Sequence, residues 1–254
     1  MKIDCLYWCT IFVICFGIRE FFDKLIYAKK MTIKAIVFDA YGTLFDIYSL
    51  AANAEALFPT YGKQLAEKWR DKQIDYTRLR TLSGHYKPFW DVTNDALVFV
   101  CKQLKLVLND DDENTLMQAY LRLPGFSECS DVLQALNEKS IPLAILSNGN
   151  PTMLNAVVNA AEYEKYFQHL ISVDRVRKFK TAPEAYQLVP DVLGLSPKEI
   201  LFVSSNCWDA CGASWFGFTT FWINRAHAPF EELGITPHYQ GSSLRDVLAL
   251  FQQS

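Results

Sequence analysis

Ala35-Ile36-Val37-Phe38-Asp39-Ala40-Tyr41-Gly42-Thr43-Leu44-Phe45-Asp46 is the stretch whose reading decides the fold. Four apolar, β-favouring residues suit a short strand covered on both faces, and Gly42 lets the chain turn sharply after it. Asp39 then stands at the C-terminal end of a strand. In open parallel α/β sheets ligands lie in the crevice outside those ends, so this carboxylate faces substrate space.

Working outward, strand-like apolar runs recur at residues 141–146, 170–173, 200–203 and 219–223, separated by helical patterns. Such alternation predicts βαβ units and a parallel sheet. Between residues 47 and 125 the pattern is helical only. Apolar residues fall at three- and four-residue spacing over 63–82 and 88–106, the acidic run from Asn109 to Asp112 reads as the entry to a further helix, and Leu123-Pro124-Gly125 punctuates the return. The expected fold is α/β: a Rossmann-like parallel-sheet core of residues 31–46 and 126–254, with an inserted helical cap domain at 47–125. The chain carries no internal repeat and no low-complexity tract.

Half of the 254 residues are hydrophobic, the formal charge is only -3 and no long basic run occurs, which argues against nucleic acid as a partner. Residues 1–30 are unlike the rest, with an uninterrupted apolar run over 5–17. That run is too short to span a bilayer, and it lacks both a basic excess before it and a small-x-small cleavage pattern after it. The favoured reading is that Met31 is the true start and the mature domain is cytoplasmic and meets no membrane; the alternative is a genuine leader, with secretion. Of seven cysteines, Cys5, Cys9 and Cys15 lie in that leader. Cys101, Cys129, Cys207 and Cys211 form no CxxC pair, and His85, His169, His227 and His238 are scattered, so neither zinc nor a disulfide framework is indicated. Cys207 and Cys211 share a helical face, where small apolar filler is the expected role.

The string DxYGTLFD, with Ala40 as x, resembles the first motif of the haloacid dehalogenase superfamily, in which the leading Asp is the nucleophile. Its phosphatases carry a second Asp two residues on that protonates the leaving oxygen. Here Tyr41 stands there, and a phenol with a pKa of ~10 is a poor general acid at neutral pH; this is the pattern of the 2-haloacid dehalogenase branch. Three further segments match. Ser147-Asn148-Gly149 follows the second strand as the anion-gripping turn. Lys180 resembles the lysine beside the nucleophile, with Tyr186 six residues on matching a tyrosine of that branch; Thr181 replaces the usual Pro, and Lys178 is a rival. Ser204-Ser205-Asn206-Cys207-Trp208-Asp209 matches the fourth motif, with one Asp where phosphatases gather acidic magnesium ligands. In the cap, residues 69–76 resemble the helix whose Arg faces the site, which selects Arg70.

The resemblance implies hydrolytic dehalogenation of a short L-2-haloalkanoic acid. Asp39 attacks C2 from behind and expels halide; water then cleaves the resulting ester, giving a D-2-hydroxy acid. It makes Asp39, Thr43, Arg70, Ser147, Lys180, Tyr186, Ser204, Asn206 and Asp209 the catalytic set. Ala40, Tyr41, Arg70, Ile74, Phe89, Ser147, Asn148 and Trp208 become the substrate-binding set. Arg70 and Asn148 would receive halide, Ser147 the substrate carboxylate, and Asp209, with Lys180, Ser204 and Asn206, the hydrolytic water; which group takes its proton is left open. No cofactor and no metal are needed, since halide leaves unprotonated, and a homodimer is expected. The rivals are a magnesium-dependent phosphohydrolase of the same superfamily and a non-catalytic binding protein on the same fold.

Overall fold

The structure, a computed structural model, describes residues 33–251. The leader and its three cysteines, and the choice between Met31 and an upstream start, lie outside the described residues. Six parallel strands, β1 (Ala35–Phe38), β2 (Leu143–Ser147), β3 (His169–Ser172), β4 (Ile200–Ser204), β5 (Thr219–Ile223) and β6 (Tyr239–Gly241), form one sheet in the order β3-β2-β1-β4-β5-β6. β1 is central. Every residue of β1, β2 and β4 is buried, as continuous apolar runs covered on both faces must be.

This order places the topological switch between β1 and β4 and brings the turns after β1, β2 and β4 side by side. Register fixes the alignment, with Phe38 opposite Ile145 on one side and Val203 on the other. The Asp39 amide continues the ladder by donating to the Val203 carbonyl at 2.9 Å.

The turn after β1 is built on one acceptor. The Ala40 carbonyl takes the amides of Thr43, Leu44 and Phe45 at 3.2, 2.9 and 3.1 Å, while Gly42 sits at φ 85°, a conformation that favours glycine. From Asp46 the chain leaves the sheet for four helices, α1 (Leu50–Leu57), α2 (Gly62–Ser83), α3 (Phe89–Gln103) and α4 (Asp110–Tyr120). The stem of this insertion is narrow. Asp46 N donates to Pro124 O at 2.8 Å and Phe126 N to Leu44 O at 3.1 Å, tying the outgoing strand to the returning one.

Local chemistry explains the helix ends. α2 stops at Gly84, left-handed at φ 72°. α4 starts where the Asn109 side chain accepts the Asp112 amide, with four acidic residues in the first turn beside the helix's positive end. The expected helix over 88–106 is shorter: α3 ends at Gln103, because Leu104 caps it and Lys105 turns to φ 59°. Trp69 on α2 is 1% exposed and donates to the Thr93 carbonyl of α3 at 2.7 Å, so the two longest cap helices share a buried seam.

The remaining helices, α5 (Cys129–Glu138), α6 (Pro151–Ala160), α7 (Pro183–Leu193), α8 (Cys207–Phe216) and α9 (Leu244–Ala249), connect and flank the strands. Cys207 and Cys211 pack with Ala210 and Trp222 in a small apolar cluster, the filler role expected of them. Among the described residues all cysteines are unpaired, and no helix is long and apolar enough to cross a membrane.

Candidate active site

Asp39 is 6% exposed, and both of its carboxylate oxygens are occupied as acceptors. Oδ1 receives the Lys180 ammonium at 3.0 Å; Oδ2 receives the Thr43 hydroxyl at 3.0 Å and the Asn206 amide at 2.9 Å. The Ser205 amide donates to the Thr43 hydroxyl oxygen at 2.8 Å, which leaves the hydroxyl hydrogen to point at Asp39. Asn206 is an N-cap by backbone alone. Its backbone takes the N-cap position of α8, but its side chain makes no capping bond and is given to Asp39 and the Tyr41 carbonyl instead.

Lys180 also donates to Asp209 Oδ2 at 3.0 Å, so one ammonium bridges two carboxylates, with its side chain only 1% exposed. The other oxygen of Asp209 accepts the Tyr186 hydroxyl at 2.7 Å. Burial pushes the Asp209 carboxyl up to about 6 against the pull of Lys180. Burial also works to lower the Lys180 pKa, but Asp209 and Asp39 outweigh it and hold the ammonium above its ordinary range. Burial, then Asp209, keeps the Tyr186 phenol well above its usual value, so it acts as a neutral donor. The rival Lys178 stays at the surface and pairs with Glu184.

The Lys180 loop is seated from both sides. Its amide donates to Asn148 Oδ1 at 3.0 Å, and the preceding Phe179 amide donates to Thr81 of α2 at 3.1 Å. Tyr86, in the loop between α2 and α3, donates to Asp174 and stacks near Phe179 at 5.2 Å between ring centroids. The insertion thus touches the loop that delivers Lys180.

Ser147 is fully buried at the end of β2, and its hydroxyl accepts the Gly149 amide at 3.0 Å. Gly149 is needed for close approach, because a Cβ there would lie 2.9 Å from the Tyr41 ring. The Tyr41 ring packs against Phe89 of α3 and Tyr120 of α4 at centroid distances of 5.8 and 5.3 Å. Its hydroxyl is buried without a hydrogen-bond partner, and burial, then Tyr120, holds the phenol well above its ordinary pKa. Arg70 approaches from α2, donating to the Tyr41 carbonyl at 3.4 Å and to Gln73 at 2.8 Å.

The expected residues therefore divide. Asp39, Thr43, Lys180, Asn206, Asp209 and Tyr186 form one hydrogen-bonded cluster, with Asn148 holding its lysine loop. Arg70, Tyr41 and Phe89 form a facing wall. Ser204 is buried but reaches Asp39 only through Asn206, whose amide it accepts at 3.1 Å. Ala40 contributes the turn's carbonyl, with its side chain fully buried. Ile74 lies one turn beyond Arg70 on α2, and the Trp208 ring lies 5.3 Å from the Arg78 guanidinium. The sequence reading missed Gln73, which accepts from Arg70 and Tyr120 and donates to Thr93, and it missed Arg225. Arg225 follows β5, and its place just past a strand's C-terminal end was the signal that could have found it.

The donor set does not fit a divalent cation. Lys180 stands between the two carboxylates, Tyr186 takes the remaining oxygen of Asp209, and Tyr41 brings a buried phenol where a second carboxylate would be required. Among the described residues no group of three His, Cys, Asp or Glu side chains is gathered for a metal.

The haloacid dehalogenase-like hydrolase family model matches residues 33–217. The (S)-2-haloacid dehalogenase of Pseudomonas sp. (strain YL) is 48% identical over 220 residues, 87% of this chain and 95% of that protein. Haloacetate dehalogenase H-2 of Moraxella sp. (strain B) is 44% identical over 207 residues, 82% of this chain and 92% of that one. A crystal structure of an L-2-haloacid dehalogenase superposes with a TM-score of 0.85 at 55% identity, covering 87% of this chain and 99% of that one. The Xanthobacter autotrophicus L-2-haloacid dehalogenase with chloropropionic acid covalently bound superposes with a TM-score of 0.81 at 37% identity, covering 87% and 98%. Matched by the family model over residues 33–217 and by a relative 48% identical over 220 residues, this chain belongs to the haloacid dehalogenase-like hydrolase family.

Proposed function

We propose that this chain hydrolyses short L-2-haloalkanoic acids to D-2-hydroxy acids and halide. One observation carries the reading: a buried carboxylate at a strand end held by Lys180, Thr43 and Asn206, with a neutral Tyr41 in place of a general acid. Such a site suits a leaving group that departs without a proton. An Asp39 oxygen displaces halide at C2, forming a C–O ester bond as the C–halogen bond breaks, which inverts C2. Water then adds to the ester carbonyl of Asp39, one of its protons passing to Asp209. As the acyl–oxygen bond breaks, the second water proton passes to the leaving alkoxide, which releases the hydroxy acid and restores the carboxylate, and Asp209 then gives up its proton to solvent. Holding nucleophile and electrophile in line is worth on the order of 7–11 kcal/mol, the scale such a weak nucleophile requires.

In this reading Ser147 and its neighbouring amides grip the substrate carboxylate, Arg70 and Asn148 receive halide, and Tyr41, Ile74, Phe89 and Trp208 enclose the alkyl group beside Ala40. Lys180, Ser204 and Asn206 order the water, and Tyr186 steadies Asp209. Residues 47–125 act as the cap domain over a core of 31–46 and 126–254. The exposed Leu79, Leu82 and Phe99 on α2 and α3 support a homodimer through the cap. The unpaired buried cysteines suit a cytoplasmic protein.

The test is halide release from L- and D-2-chloropropionate in EDTA, beside p-nitrophenyl phosphate with magnesium. Chloride from the L isomer alone is expected. Phosphate release would establish the phosphohydrolase reading instead, and silence in both assays would leave the binding-protein reading.

A further inference from the structure

The Arg225 guanidinium bonds both of the turns that hold Asp39 and a nearly buried acid beside them. One nitrogen, Nη1, donates to the Ser205 hydroxyl at 2.6 Å and the Gly42 carbonyl at 3.4 Å; the other, Nη2, donates to the Thr43 carbonyl at 3.1 Å and to Glu128 at 2.8 Å. Its guanidinium lies 3.8 Å from the centroid of the Phe126 ring, and Glu128, whose side chain is 9% exposed, also accepts the Leu244 amide at 3.4 Å. The planar fork is therefore fixed in position from below and from the side.

What it grips are the turn after β1 and the turn after β4. These turns supply the two donors to Asp39 Oδ2, Thr43 and Asn206, and they are joined to each other through the Ser205 amide and the Thr43 hydroxyl. Arg225 does not touch Asp39. The geometry points to Arg225, braced by Glu128, as a positioning residue that locks the two turns in register so that Thr43 and Asn206 hold the Asp39 carboxylate at its attack angle. This rests on the dehalogenation proposed above. The clamp acts on the nucleophile and leaves the Ser147 grip on substrate untouched, so its loss falls on kcat and not on KM. A displacement of reacting atoms by ~1 Å costs about 10²-fold, which sets the scale.

The experiment compares wild type with Arg225→Met, Arg225→Lys and Ser205→Ala, measuring kcat and KM for L-2-chloropropionate and amide hydrogen exchange over residues 42–45. Arg225→Met is expected to lower kcat by about 10- to 100-fold with KM within about threefold, Ser205→Ala by roughly 3- to 10-fold, and Arg225→Lys to fall between wild type and Arg225→Met, since lysine keeps the charge without the fork. Exchange over 42–45 should quicken in the same order. If Arg225→Met does not fold, Ser205→Ala carries the decision. A folded variant with kcat at the wild-type value, or with KM rising as kcat falls, overturns the inference. Wild type that releases no halide would overturn the dehalogenation reading instead, and unchanged exchange over 42–45 in Ser205→Ala would then still overturn the clamp.

Discussion

The sheet side and the cap side of the site satisfy their polar groups by different means. At the strand ends each oxygen of Asp39 and Asp209 accepts at least one buried donor, and Lys180 ties the two carboxylates together. Facing them, Arg70 makes a long bond to the Tyr41 carbonyl and a short one to Gln73, which also accepts the Tyr120 hydroxyl, while the Tyr41 hydroxyl has no partner; the wall that meets the sheet side is held mainly by the Tyr41 ring, packed 5.8 Å from Phe89 and 5.3 Å from Tyr120. Electrostatic order on one side and apolar packing on the other separate two tasks. In the proposed reaction the first would fix charge and angle, while the second would shape what enters. Substitutions should therefore break chemistry on the sheet side and tune binding or stability on the cap side.

The sharpest test of that division is Asp39→Asn. An amide of the same shape keeps the packing but is no nucleophile, so halide release should fall by on the order of 10⁴-fold or more with the circular dichroism spectrum unchanged. Turnover near the wild-type rate would remove Asp39 from the mechanism and the comparison with it. Lys180→Met comes next. It leaves two carboxylates facing each other without their cation, and unpairing buried charges costs about 3–5 kcal/mol, to be read from urea unfolding at neutral pH. Adding Asp209→Asn should recover part of that loss; a single-variant loss below about 1 kcal/mol would mean the bridge is not what orders this side.

Asp209 should also make turnover depend on pH. Burial raises Asp209 to about 6, so above that value it is ionised and able to take the proton of the hydrolytic water. The kcat profile should show an acid limb near 6, with the Asp39 ester accumulating below it in quenched samples, and Asp209→Asn should abolish the limb. The linkage runs the opposite way: between 3.8 and about 6 the folded carboxyl keeps a proton that the unfolded one has lost, so its contribution to stability declines as pH climbs through that window while kcat rises. A limb at the same pH in Asp209→Asn would assign the titration elsewhere.

How much of this was legible in the sequence follows the same line. β1, β4 and β5 were readable because buried parallel strands are unbroken apolar runs, and Asp39, Ser147 and Asp209 because they close or follow such runs. β6 was not: Tyr239, Gln240 and Gly241 are too few and too polar to register as a strand. Lys178 and Lys180 have the same chemistry at neighbouring positions, and only burial separates the surface pair with Glu184 from the bridging ammonium. Side-chain aim is likewise tertiary. Nothing local tells Asn206 to bond Asp39 in preference to capping α8, and Arg225 is recruited by Phe126 and Glu128, about a hundred residues away in the chain.

Tyr41→Phe should have the smallest effect and yet discriminates most finely. The hydroxyl is buried with no partner, and leaving such a group unsatisfied costs about 1–3 kcal/mol, so deleting it should leave the protein as stable or raise its melting temperature by roughly 2–4 °C. The ring and its contacts with Phe89 and Tyr120 remain. Burial holds the phenol well above its ordinary pKa, so it is a reluctant proton donor, and kcat for L-2-chloropropionate should change by no more than about threefold. A general acid removed from its reaction would instead cost about 10²-fold or more. If Tyr41→Phe lost that much, the cap-facing wall would be supplying a proton to the leaving group. The site would then belong with leaving groups that need one, and the separation of charge on the sheet side from shape on the cap side would fail at the residue that most distinguishes this chain from the phosphatases of its superfamily.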